Sequence, residues 1–177
     1  MISTAQDYVS KKITHYLPEF VYGSIDGTVT TFAIIAGIAG ANLSAATVVI
    51  LGFSNVLADG FSMASSNYLS EQSHQDQNPG DNHQSPLKTA LATFISFITI
   101  GSIPVASYII AENIPMFMNN AFLFATICTG ITFIGIGSVR GKISGKHPLR
   151  TSLETLAIGT IAALVAYGVG SFLGNIL

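Results

Sequence analysis

The chain has 177 residues, of which 49% are hydrophobic and only 9% charged, with a formal net charge of −2 and a mean hydropathy of +0.56. Soluble domains carry about 25% charged residues, so the composition excludes an ordinary soluble enzyme and gives no expectation of a nucleic-acid partner. A lone cysteine, Cys128, excludes an intramolecular disulfide, and the alternating ten-residue segments of an outer-membrane barrel are absent.

The first twenty residues, MISTAQDYVSKKITHYLPEF, are too polar for the apolar core of a secretory signal, and no cleavage is expected. Val9, Ile13, Tyr16 and Phe20 recur at helical spacing, which suits a short helix lying on the membrane as well as a frayed tail. Five apolar stretches follow, at about 20 to 41, 44 to 70, 87 to 111, 120 to 139 and 152 to 175. Each is long enough to cross a hydrocarbon layer about 30 Å thick. Helices satisfy their own backbone groups in lipid, so the expected fold is an all-α membrane protein, residues 1–177 forming a single domain of five transmembrane helices. The 71–86 connection between spans two and three is read as a solvated loop, with a turn at Asn78, Pro79 and Gly80. His74 and Asp76 flank that turn on one side and Asp81 and His83 on the other, a set that would ligate a metal if the loop folded back on itself. Gly101 and Pro104 should bend span three, because proline removes a backbone bond and crowds the preceding turn.

The seven basic residues are Lys11, Lys12, Lys88, Arg140, Lys142, Lys146 and Arg150. They fall before span one, between spans two and three, and between spans four and five, which all face one side. The positive-inside rule makes that side cytoplasmic, with the N-terminus inside and the C-terminus outside. All four histidines share these segments, so no cation stands inside a span near Asp26 or Asp59. A central aspartate costs about 2.5 to 3.5 kcal/mol on insertion. Relief comes from a proton, from hydrogen bonds to hydroxyls or water, or from a cation supplied from outside.

Both aspartates precede glycine, in YGSIDGTVTTFAII (22 to 35) and VLADGFSMASSNYLS (56 to 70). Spans one and two are antiparallel, and residue counting puts Asp26 and Met63 at matching depth, with Asp59 one turn deeper on the Met63 face and Asn55 one turn deeper again. Carboxylate with thioether offers hard and soft ligands together and suits a borderline divalent metal such as Fe²⁺. Each residue also has a purely structural reading: Met63 as packing, Asp59 satisfied by a neighbouring Ser or Thr, Asp26 by Thr28, Thr30 or Tyr22. Gly23 and Gly27, like Gly170 and Gly174, are spaced for close helix approach, and Gly37, Gly40, Gly135 and Gly137 add further points. Glu154 is placed to favour the positive end of the fifth helix.

The run YGSIDGTVTTFAIIAGIAGA followed by ILGFSNVLADGFSMASSNYLSEQ resembles the vacuolar iron transporter family, which includes the yeast vacuolar iron and manganese carrier and nodulin-like plant proteins. The resemblance implies a homodimer with the path between the two copies of spans one and two, carrying cytosolic Fe²⁺ outward against protons. It implies metal-binding roles for Asp26 and Met63; Asp59 belongs to the shared motif without a defined role. Glu19 matches an acidic position near the cytoplasmic mouth. Two departures stand out: Asn55 replaces a glutamate found in some members, and loop 71–86 replaces their glutamate-rich cytoplasmic domain.

The expected function is therefore a metal/proton antiporter, with Mn²⁺, Co²⁺ and Zn²⁺ as further candidate substrates. No permanently bound cofactor is expected, and the partners are metal ions, protons, lipid and a second copy of the chain. The alternative is a non-transporting membrane assembly or metal-sensing subunit. An enzyme is not expected, since HExxH, GxSxG and glycine-rich phosphate loops are all missing. The short chain favours a bacterial plasma membrane over a vacuolar-type one.

Overall fold

The computed structural model describes residues 16–79 and 84–177. They form helices α1 (Leu17–Gly40), α2 (Ala45–Gln77), α3 (Pro86–Gly101), α4 (Ile103–Asn113), α5 (Ala121–Ile143) and α6 (Pro148–Gly174), with a 3₁₀ turn at Met118–Asn120. Helices α3 and α4 make up one apolar stretch, Pro86–Asn113, so five stretches are long and apolar enough to cross a membrane. The surface helix expected around Val9 and Ile13 lies outside the described residues, as do Asp81 and His83.

Local chemistry sets the helix limits. Helices α1, α3, α4 and α6 carry proline in their first turn, where its missing N–H is not needed and its fixed φ already suits a helix. Pro104 thus acts as the start of a new helix: α3 stops at Gly101, and Ser102 links it to α4. Between α1 and α2 the chain reverses through Asn42, at φ 53°, a left-handed conformation that asparagine tolerates. The Leu43 N–H bonds back to Ile38 O at 3.1 Å, and the Ser44 hydroxyl caps α2 by accepting from the Thr47 N–H. The two helices are thereby fixed as an antiparallel pair.

Helix α1 is the hub and touches all five others. One end of it presses on α3: a side chain at Gly23 would strike Ser96 Oγ and lie 2.6 Å from Thr93 O, and one at Gly27 would lie 2.9 Å from Phe97 O. The other end presses on α6, where Gly37 and Gly40 meet Gly170 and Tyr167, and Gly174 meets Ala41. Lipid gives helices no hydrophobic reason to associate, so backbone approach through small residues supplies the packing. Gly137 follows the same rule against Ser152, but Gly135 does not: it has open space beside it and faces away from its neighbours.

Two boundaries differ from the sequence reading. Helix α2 runs to Gln77, so residues 71–77, expected as loop, form two further turns; a polar helix can extend past the membrane as freely as a loop. Helix α6 begins at Pro148, which places Glu154 beyond the first turn. There Glu154 bridges Arg150, at 3.1 Å, and Arg140 of α5, at 3.6 Å, and so pins two helices together.

Gly27→Leu should prevent a monodisperse fold and Gly135→Ala should be silent. Overpacking typically costs about 1–3 kcal/mol or more, and size-exclusion profiles of detergent extracts would read the contrast.

Candidate metal site between α1 and α2

The centre of the molecule is Phe97 of α3, fully buried. Its ring lies between α1 and α2: a Cβ at Gly27 would sit 3.1 Å from the ring carbon Cδ1, and a Cβ at Gly60 would sit 3.2 Å from the same atom. Gly101 closes the arrangement from the next turn, where a Cβ would lie 2.9 Å from the Gly27 backbone. Both Asp-Gly pairs are explained at once. Each glycine admits the ring, and each preceding aspartate, about 100° around its helix, is carried onto the open side of the α1–α2 pair.

Asp26 and Asp59 accordingly come close enough for their charges to interact. Counting along antiparallel helices from the shared ring at 1.5 Å per residue, Asp26 falls between the levels of Asp59 and Met63, about 3 Å from each. The sequence reading had paired Asp26 with Met63 alone. It counted from assumed helix ends, whereas the ring fixes the true register and brings Asp59 into the same layer.

Helix α2 has a sharply divided surface. Val48, Gly52, Val56, Gly60 and Ala64 are buried, and beside them Asn55, Asp59, Met63, Asn67, Glu71 and Gln75 form a half-buried line at four-residue spacing. The lower part of this line is tied to its surroundings. Asn67 donates to Thr93 Oγ1 at 2.7 Å, Glu71 accepts the Gln84 N–H at 3.1 Å, and Gln75 donates to Gln84 O at 2.6 Å. The upper part is not: the Asn55 amide nitrogen is buried without a hydrogen-bond partner.

The hydroxyls offered by the sequence as partners for the aspartates are used elsewhere. Thr28 donates to Ser24 O, and Thr30 donates to the backbone carbonyl of Asp26 at 2.8 Å; Tyr22 is exposed. Among the described residues no hydroxyl or amide donates to the Asp26 or Asp59 carboxylate, and no cation pairs with either. Of the three forms of relief, a proton, a water or an external cation remains.

Other candidates fall away from this layer. Glu19 is half-buried in the first turn of α1, with one carboxylate oxygen buried and unpartnered. His74 and Asp76 are exposed on α2 and, two residues apart on a helix, point to opposite sides; they do not converge. Among the described residues no three His, Cys, Asp or Glu side chains cluster. Sequence reasoning missed Glu112, which it placed in a loop. It lies in the last turn of α4, one turn from Tyr108 and close enough for its charge to act on the Tyr108 hydroxyl. Sequence reasoning also missed the Asn67–Thr93 tie, although buried threonines at 89 and 93 on an apolar helix were a usable signal.

A family model described as the VIT family matches residues 17–82 and 75–171. The chain is 26% identical to a protein named vacuolar iron transporter in Toxoplasma gondii over 224 aligned positions, covering 89% of this chain and 74% of that one. It is 24% identical to vacuolar iron transporter 1 of Arabidopsis thaliana, covering 84% and 82%, and 24% identical to vacuolar iron transporter homolog 2 of the same plant, covering 97% and 90%. The Toxoplasma alignment is longer than the whole chain, so that relative carries residues with no counterpart here. The two family segments meet at 75–82, where α2 ends. The relatives named come from eukaryotes and lend nothing to the expectation of a bacterial membrane.

With no donor between them, the paired carboxylates repel when both are charged. Asp26→Asn or Asp59→Asn should therefore raise the thermal midpoint of chelator-treated protein by about 2–4 °C per kcal/mol of relieved repulsion, whereas Glu154→Gln, which breaks two ion pairs, should lower it.

Proposed function

Because the chain belongs to the VIT family, we propose that it is a membrane transporter of divalent metal ions, with iron as principal substrate and manganese, cobalt and zinc as further candidates, moving them out of the cytosol in exchange for protons. The observation that carries this reading is the partnerless Asp26 and Asp59 pair in an otherwise apolar bundle. A protein that only needed to fold would gain by replacing such carboxylates with apolar residues. A protein that passes a cation across lipid needs them, since they replace part of the water the ion gives up.

In this reading the metal is the substrate, held by Asp26 with the Met63 sulfur beside it and Asp59 across the helix pair. Soft sulfur with hard oxygen suits Fe²⁺ better than Mg²⁺ or Ca²⁺. Two protein carboxylates and one thioether leave a divalent ion short of ligands. A second copy meeting this one along α1 and α2 would supply the remainder, and the homodimer is part of the proposal. Protons arriving on the carboxylates would release the metal, which makes the carboxylates the coupling element. Asn55 contributes an amide where some relatives bring a charge, so fewer protons per metal are expected.

Metal-loading of liposomes tests the proposal, with an internal Fe²⁺ indicator and an imposed proton gradient. Asp26→Ala should reduce flux by an order of magnitude or more, since it removes a charged ligand worth about 1.5–3 kcal/mol. Met63→Ala should reduce Fe²⁺ flux more than Mn²⁺ flux, because only the softer ion gains from sulfur. Flux unchanged by both substitutions would remove the site. Absence of any metal-dependent flux would instead favour a non-transporting assembly or sensing subunit.

A further inference from the structure

We propose that the cleft between the start of α1 and the end of α5 holds one anionic phospholipid from the leaflet that meets the basic helix ends. The cleft encloses about 290 Å³ and is walled by Val21, Tyr22 and Ile25 of α1 and by Arg140, Ile143 and Ser144 around the end of α5. Its depth is apolar, from Val21, Ile25 and Ile143. Its mouth carries three donors: the Arg140 guanidinium and the Ser144 and Tyr22 hydroxyls.

The shape selects the occupant. A helix about 10–12 Å across does not fit such a volume, whereas an acyl chain does, with its phosphate left at the mouth. Charge selects the headgroup. Arg140 lines the cleft, and Lys142, Lys146 and Arg150 follow at the end of α5, in the turn after it and in the first turn of α6; the carboxylates nearby are Glu154, paired with Arg140 and Arg150, and Glu19 in the first turn of α1. The Arg140 to Glu154 contact, at 3.6 Å with Arg140 about one-third exposed, uses one edge of the guanidinium and leaves the other N–H groups for a phosphate. Basic pockets between transmembrane helices recognise anionic headgroups by this chemistry.

Native mass spectrometry of the full chain in detergent, loaded with equal amounts of phosphatidylglycerol and phosphatidylcholine, tests this. Wild type should retain phosphatidylglycerol preferentially, and Arg140→Gln should lower that preference about fivefold, the equivalent of about 1 kcal/mol per basic residue. Ile25→Trp, which fills the cleft while keeping every charge, should lose the retained lipid. Lys142→Gln should retain it, and Glu154→Gln, which breaks the ion pair without removing Arg140, should retain at least as much. Three outcomes would overturn the proposal: equal retention in wild type, Arg140→Gln and Ile25→Trp; displacement of the lipid by millimolar inorganic phosphate, which marks a free-anion site; or loss of lipid only together with dissociation of a dimer, which marks the cleft as covered by a second copy.

Discussion

The fully buried Phe97 ring of α3 packs against both α1 and α2, and the relative level of those two helices follows from it. Gly27 and Gly60 receive the two sides of the ring because neither has a Cβ to obstruct it. In lipid no hydrophobic gradient pulls helices together, so close packing, helped by a few interhelical hydrogen bonds, must hold them. A bulky ring opposite two glycines provides that packing at a defined depth. Helix α1 extends the same principle to α6 through Gly37, Gly40, Gly170 and Gly174.

This packing has an electrostatic consequence. An aspartate directly before each ring-receiving glycine is delivered to the same layer of the α1–α2 pair, and the pair holds two carboxylates with no donor between them. Hydroxyls nearby are already committed to their own backbones, as Thr28 and Thr30 are. The ion pairs among the described residues, Glu154 with Arg140 and Arg150, lie toward the helix ends, where the charges cost little. Fixed structural charge and unpaired central charge are thus kept apart, an arrangement suited to a centre meant for a visiting cation.

The polar line along α2 connects these regions. From Asn67 down to Gln75 its side chains are anchored to α3 and the preceding segment, which stiffens the end that runs past the apolar span. From Met63 up to Asn55 they are not anchored.

The sequence by itself determined the five membrane-long apolar stretches and the presence of a central charge without a cationic partner, because hydropathy over about twenty residues and the position of every Lys and Arg are properties of the chain alone. It also marked Gly23 and Gly27 as contact points, where the structure brings α3 against α1. Only the tertiary structure decided which residues share a layer. Depth counted along the chain alone pairs Asp26 with Met63, whereas the depth set by Phe97, thirty-seven residues beyond Gly60, puts Asp26 midway between Asp59 and Met63. The continuation of α2 to Gln77, the divergence of His74 and Asp76, and the attachment of Glu154 to Arg140 were equally hidden. Each depends on where a distant helix lies, and periodicity within a segment holds no information about its neighbour.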